Sequence, residues 1–161
     1  MNVKQIKVIL SLSCGLYLAF VALNNVIAYP VNFEFVKHVL SMDSLFSGDT
    51  YQWKSIHAKW LHHAAYLLII LTEFVAAYFC INGSIGMWRN KEQGSDKYLK
   101  GKKRARAGLL LGFILWFVGF VVIGGEWFFM WQSSDWNGMD VAIKNAILFV
   151  LVLLYLEMKE A

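Results

Sequence analysis

The stretch "LHHAAYLLIILTEFVAAYFCI", residues 61–81, decides the fold. It holds one acid, Glu73, and no lysine or arginine, and it has the roughly 20 residues that a helix needs to cross a hydrocarbon core. Backbone amides and carbonyls meet no water at that depth, so such a run satisfies them internally as a helix. Three further windows read alike: Val8 to Ala28, Ala107 to Trp127 and the shorter Val141 to Leu156. Of the 161 residues, 58% are hydrophobic and 16% charged, which sets the chain apart from water-soluble domains. The reading is an all-α, four-helix transmembrane bundle, with residues 1–161 forming a single integral membrane domain. Lys4 and Lys7 ahead of the first apolar run, and Val26-Ile27-Ala28 after it, loosely imitate a cleaved leader. The run is long for one and ends in Asn24-Asn25, so we read it as a span.

The net charge of +4 is unevenly placed. Between Gly86 and Ala107 stand Arg89, Lys91, Lys97, Lys100, Lys102, Lys103, Arg104 and Arg106, against Glu92 and Asp96. The positive-inside rule puts this segment, read as a loop, in the cytoplasm, and both termini with it. Residues 29–60 balance three lysines with three acids, and residues 126–140 carry Glu126, Asp135 and Asp140 without a base; both face outward. The expected location is a bacterial inner membrane. The basic segment suits anionic headgroups of the lipid bilayer, and nothing in it presents a nucleic-acid-binding fold. Cys14 and Cys80 fall in the inner halves of their helices and read as packing residues, not a disulfide.

Phe35, Val36, Val39, Leu40 and Met42 recur at helical spacing in the first outer loop and predict a short amphipathic helix, with Asn32 as its N-cap. Trp53, Trp60, Trp127, Trp131 and Trp136 mark the outer headgroup level, and Trp88 and Tyr98 the inner one.

An ionisable group at mid-span is costly unless it is neutral, paired or wet, so Glu73 is the leading functional candidate. At about 100° per residue, His62, Tyr66, Ile69, Glu73, Ala76 and Cys80 share a stripe that should face protein. Gly108, Gly112, Gly119 and Glu126 share another, in which Gly108 and Gly112 form a GxxxG for close helix packing. This points Glu126 inward, unless Gly124-Gly125 breaks the helix. Asn24 and Asn25, His62 and His63, Glu126, and Lys144 and Asn145 then sit at one depth, an outward-facing polar cluster with Glu73 about 16 Å beneath His62. Two readings compete. Lys144 paired with Glu126, and Asn25 and His62 bonded across helices, would tie the helix ends together. Alternatively the cluster admits a cation, proton or small polar ligand, with Tyr66 linking it to Glu73, which could also sit protonated and donate to a carbonyl or to Tyr17.

All four histidines lie in the first outer loop or at the top of the second helix, which excludes a haem held by two histidines from facing helices; any other cofactor is left unknown. A zinc or copper site from His57, His62 or His63 with Asp43 or Glu126 is a weaker candidate, matching no ligand spacing. No nucleophile–base pair, phosphate loop or dinucleotide fingerprint is present, so no catalytic residue is assigned and an enzyme acting on lipid or quinone ranks third.

"NFEFVKHVLSMDSLF" (Asn32 to Phe46), "HHAAYLLIILTE" (His62 to Glu73) and "GGEWFFMWQSSDWNG" (Gly124 to Gly138) together resemble a bacterial family of predicted small integral membrane proteins, a domain of unknown function. The resemblance spans nearly the whole chain and implies the same four-helix topology; it implies no activity. The leading expectation is an accessory or interaction subunit that forms a homo- or hetero-oligomer or docks on a larger membrane complex. The alternative is a transporter or channel component binding a cation, proton or metal through the outer cluster and Glu73.

Overall fold

The structure, a computed structural model, describes residues 2–46, 48–91 and 96–159; Glu92 of the basic segment lies outside them. Helix α1 spans Val3–Ile27, α2 Tyr29–Ser41, α3 Lys59–Arg89, α4 Asp96–Phe113 and α5 Met139–Glu157. The α4 helix continues without a break as a π-helix, Ile114–Trp127, and short 3₁₀ turns occupy Gly48–Lys54 and Met130–Gln132. Among the described residues there is no strand. Four helices, counting Asp96–Trp127 as one, are long and apolar enough to cross a bilayer. Their outward faces are apolar too, as at Phe20, Leu68, Leu71 and Leu151, each more than half exposed, which suits contact with lipid.

Most of the described part of the basic segment read as a loop is helical. α3 continues to Arg89 and α4 begins at Asp96, so the bases from Lys97 to Arg106 project from a helix. The reason is close packing between α3 and α4. A Cβ on Gly83 would stand 2.3 Å from the Ala105 nitrogen, and one on Gly101 2.7 Å from the Met87 nitrogen. Glycine on both sides lets the backbones touch, which holds the hairpin helical beyond the apolar run. Tyr98, expected at an interface, is instead 3% exposed in this core. At this basic end α1 starts with a capping box between Asn2 and Gln5, and Glu157 of α5 meets Arg106 at 3.7 Å and Lys102 at 4.0 Å. Lys7, 1% exposed, donates from Nζ to the Met158 carbonyl.

The opposite end carries a cap. α2 starts at Tyr29, with Pro30 in its first turn, where a missing N–H costs nothing. Asn32 is therefore inside the helix and is not its N-cap. One face of α2 packs Val36 against Tyr66 and Ile70 of α3. Val39 and Met42 join Phe128 and Met130 in a second, smaller core with Tyr51 and Trp136 around it. The Lys54 ammonium lies 4.7 Å from the Trp127 ring centre and 4.3 Å from that of Phe129, closing the cap by cation–π attraction. Trp53, Trp60, Trp127 and Trp131 are exposed around this end, whereas Trp136 stacks on His38 with ring centres 4.5 Å apart.

Gly124-Gly125 does not break the helix. The chain stays helical to Trp127, with i→i+5 bonding; the Phe128 amide still reaches the Ile123 carbonyl, five residues back, at 3.0 Å. A π turn holds more residues than an α turn, so positions seven apart no longer face the same way. Gly108 and Gly112, on the α part, are buried against Ala76 and Cys80 and against Phe149. Gly119 and Glu126, on the π part, turn away from that line. Gly119 is half-buried beside open space, and Glu126 is exposed.

Candidate functional site

Glu73 sits 13 residues below Trp60 and 15 above Trp88 on α3, about 20 Å from either aromatic level. Its side chain is 1% exposed. The last turn of α1 faces it: Asn25 Nδ2 donates to Oε2 at 2.8 Å and to Oε1 at 3.1 Å. Asn32 of α2 then donates from Nδ2 to Asn25 Oδ1 at 3.1 Å, so the two amides form a relay onto the carboxylate. Tyr66, two turns above Glu73 and 2% exposed, donates its hydroxyl to the Asn25 backbone carbonyl at 2.9 Å. That carbonyl lies in the final turn of α1, where helical partners run out. Three helices thus converge on one polar point in an apolar interior.

The point borders a cavity of about 370 Å³ between α1, α2, α3, the π-helix and the start of α5. Asn25, Asn32, Tyr66, Glu73 and Asn137 supply its polar lining, and Phe35, Trp116 and Phe120 its aromatic walls. Trp116 is 7% exposed and its Nε1–H has no partner among the described residues. Exposed Asn137 and Val141 form the rim. No lysine, arginine or histidine is among the lining residues, so the only formal charge the cavity can carry is negative.

Of the residues singled out from sequence, the structure brings Asn25, Tyr66 and Glu73 together. It does not bring Glu126 or Lys144. Both are exposed and form no ion pair with each other, because the π-helix rotates Glu126 off the inward face and Lys144 lies on the outer side of α5. Asn145 beside it is 8% exposed. His62 is 3% exposed but turned toward the cap, its Nε2–H donating to the Ile56 carbonyl at 2.7 Å. With His57 and His63 it lines a separate pocket of about 320 Å³ beside Glu34, Lys37 and Lys59. The other two histidines are engaged as well: Tyr29 OH lies 2.8 Å from His63 Nδ1, and Ser55 Oγ 2.9 Å from His57 Nε2. In that pocket the hydrogen bond from Lys37, at 2.7 Å, holds the Glu34 carboxyl below its usual value. Among the described residues no three histidines, cysteines or acids stand close enough to hold a metal ion. Cys14 and Cys80 are buried free thiols.

Trp116 and Asn137 belong to the cavity but did not stand out in the sequence, and Asn32 stood out only as a helix cap. Each comes from a different element, and only the packing of α2, the π-helix and the α5 approach brings them to Glu73.

No curated protein and no solved structure matches the chain. A family model covers residues 3–159 under the description "Predicted small integral membrane protein (DUF2165)", and the chain belongs to that family.

Proposed function

We propose that this protein binds a cation in the cavity beside Glu73 and serves as a transporter or channel component. The observation that carries the reading is a carboxyl group, 1% exposed at mid-helix, lining a cavity with no basic residue. Removing a carboxylate from water is expensive unless a positive partner or a proton accompanies it. Asn25 orients the group but brings no charge. A cation entering past Asn137 supplies it, and the aromatic walls favour an ammonium over a strongly hydrated metal ion. By the charge asymmetry of the chain, the rim faces outward.

Protein in nanodiscs titrated with tetramethylammonium, and separately with sodium, tests this. The wild type should bind tetramethylammonium saturably, and Glu73→Gln, which keeps the shape and can still meet Asn25, should lose that binding. Equal binding by the variant would sink the reading. The accessory-subunit alternative drew on the glycine stripe and on the aromatic outer surface, but Gly108 and Gly112 are spent on contacts inside the molecule. What favours it now is the rim of exposed tryptophans, Trp53, Trp60 and Trp131, a surface equally suited to headgroups.

A further inference from the structure

A second, wholly different space adjoins the charged cavity. It is an apolar groove of about 170 Å³ running between α2, α3 and the π-helix. Phe35, Val36, Ile69 and Phe120 line both spaces, and the Phe35 and Phe120 rings, 6.2 Å apart, form their common wall. Away from that wall the groove runs to Leu68 and Ile123, which are 63% and 47% exposed on the apolar flank of the bundle. The π-helix makes the room. Its bonding pattern places Gly119 and Gly124 along the groove, and a Cβ on Gly119 would meet only Leu115 Cδ1, at 3.8 Å.

We propose that the ligand is an amphiphilic ammonium, its charged head beside Glu73 and its alkyl chain in this groove, reached sideways from the bilayer. The inference rests on the cation reading of Glu73 and names the class of cation. Charge selects the head: one carboxyl group, aromatic faces at Phe35, Trp116 and Phe120, and no base. Shape selects the tail. A groove of this volume, without a charged residue in its lining, accepts a short chain and is too small for the face of a partner helix. Because they share Phe35, Val36, Ile69 and Phe120, the two spaces lie close enough for head and tail to belong to one molecule, and an exposed apolar rim lets that molecule arrive from lipid.

The test compares tetramethylammonium, hexyltrimethylammonium and hexan-1-ol by calorimetric titration into nanodiscs of neutral phosphatidylcholine, with empty discs subtracted. Burying two methylenes already strengthens binding about tenfold, so the wild type should prefer the hexyl compound to tetramethylammonium by at least that factor. Gly119→Leu fills the groove without meeting backbone; it should abolish the preference and keep tetramethylammonium binding. Glu73→Gln should weaken both cations. If the wild type shows no preference, or Gly119→Leu retains it, the chain site is wrong while the cation reading stands. If tetramethylammonium fails to bind, or binds Glu73→Gln equally, both are wrong. Hexan-1-ol binding as tightly as the hexyl cation would show a groove indifferent to charge, and that also overturns the proposal.

Discussion

Asn25 does two jobs from one residue: its side-chain amide holds the Glu73 carboxylate, and its backbone carbonyl takes the Tyr66 hydroxyl. Truncating it separates them. Asn25→Ala keeps the carbonyl and the Tyr66 bond but leaves a buried carboxylate without its amide donor, a loss of about 1–3 kcal/mol or more. Asn32→Ala removes the outer step of the relay, a bond between neutral groups worth about 1 kcal/mol, and leaves the Asn25–Glu73 bonds in place. Thermal unfolding in detergent should therefore rank Asn25→Ala well below Asn32→Ala; equal midpoints would mean that the carboxylate does not depend on the amide. Glu73, Tyr66 and Asn25 were legible in the sequence because local rules reach them: the first two share one α-helical stripe, and the third ends the preceding helix. Trp116 was not legible. A tryptophan in an apolar run looks like any other lipid or core residue until packing brings it into one cavity with an acid.

Among the elements, the π-helix is where periodicity misleads. Counting at 3.6 residues per turn puts Gly108, Gly112, Gly119 and Glu126 in line. The first two obey it, and the last two do not, because the bonding pattern changes at Ile114. Exposure within the π segment peaks at Ile114, Phe117-Val118, Val122-Ile123 and Glu126-Trp127, and the step from the second of these to the third is five residues. Gly124 and Gly125, which an α-helix in phase with Phe117-Val118 would bring out, are buried; a Cβ at Gly125 would approach the Met139 sulfur to 2.4 Å. Nitroxide labels placed singly along residues 114–127 should therefore show maxima of oxygen accessibility at 114, 117–118, 122–123 and 126–127, with a minimum at 124–125. A maximum at 124–125 would mean that the segment is an α-helix, and the groove beside Gly119 would then close. No sequence pattern announced this switch. Glycines at 119, 124 and 125 show that a break is affordable, without saying which hydrogen bonds replace it.

At the scale of the molecule, four long apolar helices followed directly from run lengths, since hydrocarbon leaves the backbone one choice. The cap was only half legible. Its α2 helix announces itself by spacing, but the small core of Val39, Met42, Phe128 and Met130 joins segments almost ninety residues apart. That cap also makes the two ends of the bundle unlike, and their charges differ in the same sense. One end gathers Lys4, Lys97, Lys103 and Arg104, while the other presents Asp43, Asp135 and Asp140 with fewer bases. We propose that the basic end, with both termini, lies in the cytoplasm, because translocating a cluster of lysines and arginines is disfavoured. A fluorescent protein that matures only in the cytoplasm should then glow when fused after Glu157. Alkaline phosphatase, active only outside, should work when fused after Asn137 and stay silent at the C-terminus. The reverse pattern would turn the Glu73 cavity, whose rim is Asn137 and Val141, toward the cytoplasm. An amphiphilic ammonium would then be taken from the inner leaflet instead of the outer one, so this orientation fixes the direction from which the ligand arrives.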